Sequence, residues 1–166
     1  MTLIRVAAGV LFFASLSACG GSSVSVVPFD VLAITDRPEV MPRDEEFGSL
    51  LNGIRSADGI LTVTYNEKLN AAAQGHADDM RRRGYFSHQS PEGLYVQHRI
   101  AETGYRARAY GENIGMGQQD NAQVLRHWQS SPEHNRLLMS DNVDEFGLGV
   151  AGRGGNTRWV LVMARD

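Results

Sequence analysis

Glu112 stands in the short run Tyr110-Gly111-Glu112-Asn113-Ile114, with His88 well before it in the chain and His134 well after it. Two imidazoles and one carboxylate, with a fourth position open, are the ligand set of a catalytic zinc site. The same three groups can equally form a dry hydrogen-bond cluster in which Glu112 accepts from both rings. Spacing along the chain does not decide between these, so the elements that carry each residue must.

Alternation through Tyr110-Gly111-Glu112-Asn113-Ile114-Gly115-Met116 puts Glu112, Ile114 and Met116 on one face of an extended segment. If that face is inward, Glu112 is a buried carboxylate, and a buried charge must be paired, coordinated or neutralised. His88 follows Tyr85-Phe86-Ser87 and precedes the turn Gln89-Ser90-Pro91-Glu92-Gly93, which places it in a loop anchored on one side by two aromatics. Pro132 suits the first position of a helix, so Ser131 becomes its cap and His134 falls in the first turn. The partial positive charge at a helix start disfavours imidazolium and leaves His134 a lone pair for a metal or a proton. Glu133 serves the same helix start as a first-turn acid.

The remaining elements form the frame. Phe47, Leu50, Leu51 and Ile54 recur at helical spacing from about Asp44, with Gly59 as a stop. Asn66 caps a second helix running to Arg83, with Leu69, Ala72, Ala73, His76 and Met80 along one face and Gly84 past its end. His76 therefore reads as a hydrogen-bonded core residue, and Arg81-Arg82-Arg83 as a solvated helix end that suits the dipole. A third helix is predicted from Leu94 to Thr103, ended by Gly104, with His98 exposed and unpartnered. Asp120 with Gln123 gives a capping-box start to a helix that points Val124, Leu125 and Trp128 inward. Phe146 to Ala151 and Thr157 to Ala164 flank a glycine-rich turn and read as a hairpin. Trp159, Leu161 and Met163 fill one face of its last strand and Val160, Val162 and Ala164 the other, which predicts a sheet covered on both sides. Gly147-Leu148-Gly149-Val150-Ala151-Gly152 matches the GxGxxG dinucleotide pattern letter for letter, but a turn and a strand follow it where that fingerprint needs a helix.

Hydrophobic content of 42% and 21% charge describe one ordinary globular domain. A net charge of −3 is too mild to suggest a nucleic-acid partner, which would show as a concentrated basic surface. Residues 1–18 read as a signal peptide, with Arg5 as the positive region and Val6 to Leu16 as an apolar core too short to span a bilayer. Leu16-Ser17-Ala18-Cys19 resembles a bacterial lipobox, and Cys19, the single cysteine, is the expected site of lipid attachment. Residues 19–43, with Gly-Gly-Ser-Ser and three prolines, read as a tether in which Phe29 to Ile34 could form a short strand. The folded domain is expected over 44–166. By resemblance to lipoproteins of Gram-negative bacteria, Gly20 after the cysteine implies the outer membrane in such a host. The expected location is the cell envelope, with the membrane as a partner through Cys19.

Tyr85-Phe86-Ser87-His88, Ser90-Pro91-Glu92-Gly93, Gly111-Glu112-Asn113-Ile114, Trp128 with Ser130-Ser131-Pro132 and His134, and Gly147-Leu148-Gly149-Val150 resemble, in order and spacing, the CAP or SCP superfamily. The name stands for cysteine-rich secretory proteins, antigen 5 and pathogenesis-related proteins. The resemblance runs from about Phe47 to Arg165 and implies an α+β fold, a three-layer α-β-α sandwich with a central, mostly antiparallel sheet. It also implies a cavity of two histidines and two glutamates that binds a divalent metal, often Zn2+, in some members. His88, Glu112 and His134 match three of these; Ser131 stands where the second glutamate is expected. Two functions follow: an envelope module that binds a lipid, glycan or protein ligand through loops around the cavity, or a metal-dependent hydrolase of peptide or cell-wall bonds. In the second, a His-bound metal activates water and Glu112 or Glu133 moves the proton. A serine mechanism through Ser131 and His134 lacks an acid to orient the ring. The binding module is the preferred reading.

Overall fold

The computed structural model describes residues 43–166; the predicted signal peptide, Cys19 and the tether with its Phe29–Ile34 strand lie outside the described residues. Helix α1 (Arg43–Ala57) opens with Asp44, Glu45 and Glu46 in its first turn, where acids suit the dipole, and buries Phe47, Leu51 and Arg55 along one stripe. Strand β1 (Thr64–Tyr65) is two residues long. Helix α2 (Glu67–Arg83) begins where Asn66 accepts from the Lys68 and Leu69 amides, and it ends at Gly84 with φ 72°. Both ends match the predicted signals, because each depends only on residues within a turn of it.

Helix α3 (Val96–Glu102) starts later than predicted. Leu94 is held by Ser90, whose N–H donates to the Leu94 carbonyl at 2.9 Å and whose Oγ accepts from the Leu94 amide at 3.2 Å, so the preceding turn claims it. His98 is exposed as expected but has a partner, since its Nδ1 accepts from the Tyr95 amide at 3.0 Å at the helix start. Strand β2 (Ala109–Met116) leads through Gly117 to α4 (Asn121–Ser130), α5 (Pro132–Leu138), β3 (Glu145–Ala151), the 3-10 turn Gly154–Asn156 and β4 (Arg158–Arg165). Asp120 caps α4 by accepting from the Gln123 amide, while Gln123 reaches one residue further back than a capping box requires, to the Gln119 amide.

The four strands run in the order β1-β3-β4-β2, with β1 parallel to β3 and the other pairs antiparallel. Central β4 sends Trp159, Leu161 and Met163 into one core with Phe47, Leu51, Trp128 and Leu138, and Val160, Val162 and Ala164 into a second with Leu69, Ala73, Met80 and Ile100. The sheet is therefore the middle of three layers, α2 and α3 on one face and α1, α4 and α5 on the other. This is the α-β-α sandwich that the two-sided apolar run of β4 predicts.

Gly147 and Gly149 owe their place to close packing. A Cβ at Gly147 would sit 2.1 Å from the Asn70 nitrogen, and one at Gly149 would sit 2.3 Å from the Ala73 carbonyl carbon, so α2 lies with its backbone against β3. Asn70 and Gln74, a turn apart on α2, use that proximity: Asn70 Oδ1 accepts from the Leu148 amide, and Gln74 both accepts from the Val150 amide and donates to its carbonyl. These amide side chains serve β3 beyond Phe146, where its pairing with short β1 stops.

Candidate functional site

Glu112 lies on β2 opposite Val162, whose face belongs to the α2 and α3 layer, while its neighbour Asn113 pairs with Leu161 and faces the other layer. The strand's alternation therefore decides which elements each side chain can reach. The Glu112 side chain is 2% exposed, and both carboxylate oxygens are occupied. Oε1 accepts from His88 Nδ1 and Oε2 from Arg99 Nη2, each at 2.7 Å. Ile114 is buried on the same face, but Met116, predicted to join them, is 46% exposed. It is the last residue of the strand, and Gly117, at φ 90°, turns the chain there.

The His88 loop is fastened from beneath. Buried His76 donates through Nε2 to the Ser87 carbonyl at 2.9 Å, as a core histidine should. Burial pushes the His76 ring below its ordinary value, against the pull of nearby Glu112, so the neutral form is favoured. Tyr85 donates its hydroxyl to Asp79 at 2.6 Å, and the Arg158 guanidinium lies over the Phe86 ring, 6.0 Å from its centre. Arg99 completes the clamp: its Nη2 also donates to the His88 carbonyl at 3.1 Å and its Nη1 to the Leu94 carbonyl at 3.2 Å. A carboxylate on Nδ1 fixes His88 with its proton there, leaving Nε2 as the free nitrogen of a half-exposed ring.

His134 is held through its backbone carbonyl, and its ring does not make the predicted bond to Glu112. α5 packs on the face opposite Glu112, so closely that a Cβ at Gly111 would lie 2.5 Å from Leu137 Cδ1. Asn113, buried on that face, donates to the His134 carbonyl at 3.0 Å, and the His134 ring stands 6.1 Å from that of His127. Among the hydrogen bonds of the described residues none joins His134 to Glu112, and His134 Nδ1 is buried without a partner. The cluster in which Glu112 accepts from both rings is thus replaced by one in which Arg99 supplies the second donor. His134 is held below the ordinary histidine range, first by burial and then by the neighbouring His127 and His88 rings. Ser131 occupies the predicted N-cap position of α5, but its hydroxyl makes no capping bond; the residue donates its amide to Trp128 and accepts on its carbonyl from Asn135. Glu133 is exposed in the first turn of that helix.

Between the His88 loop and the α4–α5 corner lies a cleft of 590 Å³, over the end of β2, lined among others by Phe86, His88, Tyr95, Met116, His127 and His134. No Asp, Glu, Lys or Arg lines it, and Ser131 does not reach it. Phe86, Tyr95 and Met116 are 43%, 43% and 46% exposed there. The divalent metal that the family resemblance implies does not fit these residues as placed. Both Glu112 oxygens are engaged, the open ring nitrogens are only His88 Nε2 and His134 Nδ1, and among the described residues no group of three His, Cys, Asp or Glu is arranged to hold a metal ion.

Three contributors escaped the sequence reading. Arg99 sits three residues after Val96 on the inward stripe of α3, a signal open to the helical-period argument. His127 adjoins Trp128, and nothing local marks it as facing a cleft. Asn113 was visible as the alternate of Glu112 once β2 is taken as covered on both faces.

The family model described as the cysteine-rich secretory protein family, CAP, matches residues 49–163. The uncharacterized protein YkwD of Bacillus subtilis is 29% identical over 105 residues, covering 63% of this chain and 41% of that protein. An extracellular protein containing an SCP domain from Bacillus anthracis superposes with a TM-score of 0.70 at 25% identity, over 75% of this chain and 40% of its own. An outer surface protein of Borrelia burgdorferi gives 0.68 at 17% identity, over 74% and 91%, a likeness of fold. The chain thus spans less than half the length of the Bacillus subtilis relative that it matches.

Proposed function

The chain belongs to the cysteine-rich secretory protein family, CAP, and on that footing we propose that it is a non-catalytic binding module of the cell envelope, tethered through a lipid on Cys19. The observation that carries this reading is the chemistry of the cleft. It bears no permanent charge and exposes two aromatics and a methionine beside imidazoles and amides. A ligand with an apolar face and hydrogen-bonding edges suits such a surface, and a glycan strand is the envelope polymer of that description. Glu112 lies beneath the cleft with both oxygens engaged, so it offers no free carboxylate to move a proton for hydrolysis. The envelope location is supported by the lipobox-like Leu16-Ser17-Ala18-Cys19 and by relatives described as extracellular or outer-surface proteins.

The test is retention of the purified protein on insoluble cell-wall glycan, with Phe86→Ala and Tyr95→Ala as probes. Retention that falls at least tenfold in both variants, with no soluble fragments released on long incubation, is the expected result. Release of fragments would make the protein an enzyme, and undiminished retention in both variants would place binding elsewhere. Mass spectrometry of the mature N-terminus checks the anchor, since an unmodified Cys19 removes it.

A further inference from the structure

The misfit between the cavity and a divalent cation has a specific cause. We infer that the Arg99 guanidinium is the resident counter-cation of Glu112, filling the electrostatic place a metal would take and keeping a metal out. Arg99 comes from α3, its side chain is 10% exposed, and three acceptors fix it: Glu112 Oε2, the His88 carbonyl and the Leu94 carbonyl. One nitrogen, Nη2, bridges the carboxylate and the loop that carries His88, so the cation both neutralises the strand and locks the loop to it.

A metal arriving at Glu112 would have to displace this group or stand beside it. Displacement costs three hydrogen bonds and leaves a guanidinium in a nearly closed space. Standing beside it sets a dication against a fixed positive charge where water screens little. The imidazoles alone do not compensate, since His88 Nε2 and His134 Nδ1 offer two ring nitrogens at one cleft but bring no negative charge to set against the guanidinium. A guanidinium is suited to the task because it remains charged throughout the working pH range and meets planar acceptors with a rigid fork. Whatever ligand the cleft takes, a resident guanidinium makes the domain's fold and binding independent of chelators.

Zn2+ titration by calorimetry, paired with thermal unfolding in Zn2+ and in chelator, tests it on the purified protein. Wild type should show no saturable one-equivalent site and the same midpoint in both media. Arg99→Gln, which keeps a polar side chain but not the charge, should gain a one-equivalent Zn2+ site and a midpoint raised by the metal. Arg99→Gln combined with His88→Ala should lose that site. Wild-type protein that takes up one equivalent of Zn2+, with the uptake abolished in His88→Ala or Glu112→Gln, would overturn the inference without reference to any Arg99 variant. So would a folded Arg99→Gln protein that still takes up none.

Discussion

Arg99→Met is the sharpest perturbation of the site, because it removes a charge while keeping much of the apolar stem. Glu112 and Arg99 are 2% and 10% exposed at the side chain, so water cannot take over the abandoned carboxylate as it would at the surface. Breaking a buried ion pair by removing one partner costs about 3–5 kcal/mol. His88 still donates to Oε1, which puts the expected loss near the lower end, about 3 kcal/mol. Glu112→Gln should be similarly costly, since it leaves the guanidinium uncompensated. The double variant Arg99→Met/Glu112→Gln removes both charges and leaves only imperfectly satisfied neutral groups, at about 1–2 kcal/mol. The cycle therefore predicts strong non-additivity, with the double variant more stable than either single one. Urea unfolding at pH 8 reads this directly, followed by fluorescence of the buried Trp128 and Trp159. Single variants that lose less than about 1 kcal/mol, or a double variant that loses their sum, would refute the argument that Arg99 balances a buried carboxylate.

Two further outcomes follow from named atoms. Gly149→Ala drives a Cβ to 2.3 Å from the α2 backbone at Ala73 and should cost about 3 kcal/mol or prevent folding, whereas Gly53→Ala on α1, with nothing within 4 Å, should stabilise by about 0.5–1 kcal/mol; thermal unfolding of the pair gives opposite signs or the packing account fails. For pH, burial lowers the His76 ring below the ordinary histidine value, so the unfolded chain binds the proton first. The His76 contribution is then unaffected above that value and destabilising as pH falls from it toward the lower folded value. Urea midpoints between pH 8 and pH 5 should decline in wild type and decline less in His76→Gln, and equal slopes would remove His76 as the cause.

What could be read from the chain was what depends on neighbours in the chain. The Asn66 and Gly84 boundaries of α2, the apolar stripe of α1 and the two-faced run of β4 each follow from a local period or a single turn. The start of α3 was misplaced because Ser90 competes for Leu94, a contest between two local rules that sequence alone does not settle. The site was half legible. A carboxylate in an inward strand position had to be neutralised, and His88 was correctly brought to it; its other partner could not be chosen without knowing that β2 is covered on both faces. Once it is, the same alternation that buries Glu112 toward α3 sends Asn113 toward the His134 carbonyl on α5, and the two predicted histidines reach one cleft from different layers.

The glycine run that imitates a nucleotide fingerprint shows how far the geometry of this site reaches. A pattern of glycines two apart serves close approach of backbone to backbone, and in β3 the approaching group is the helix α2 rather than a pyrophosphate. That approach sets the height of α2 above the sheet. The height of α2 in turn places His76, which holds the Ser87 carbonyl, and Ser87 leads directly into His88. His88 and Arg99 then meet Glu112 at two ends of one carboxylate. Raising α2 by even a few tenths of an ångström would lengthen the His76 contact while Glu112, fixed on β2 by its pairing with β4, stays where it is. The loop would have to stretch or let one bond go. The glycines of β3 therefore help to position a site that contains none of them, and a substitution there should loosen the His88–Glu112 pair together with the α2 core.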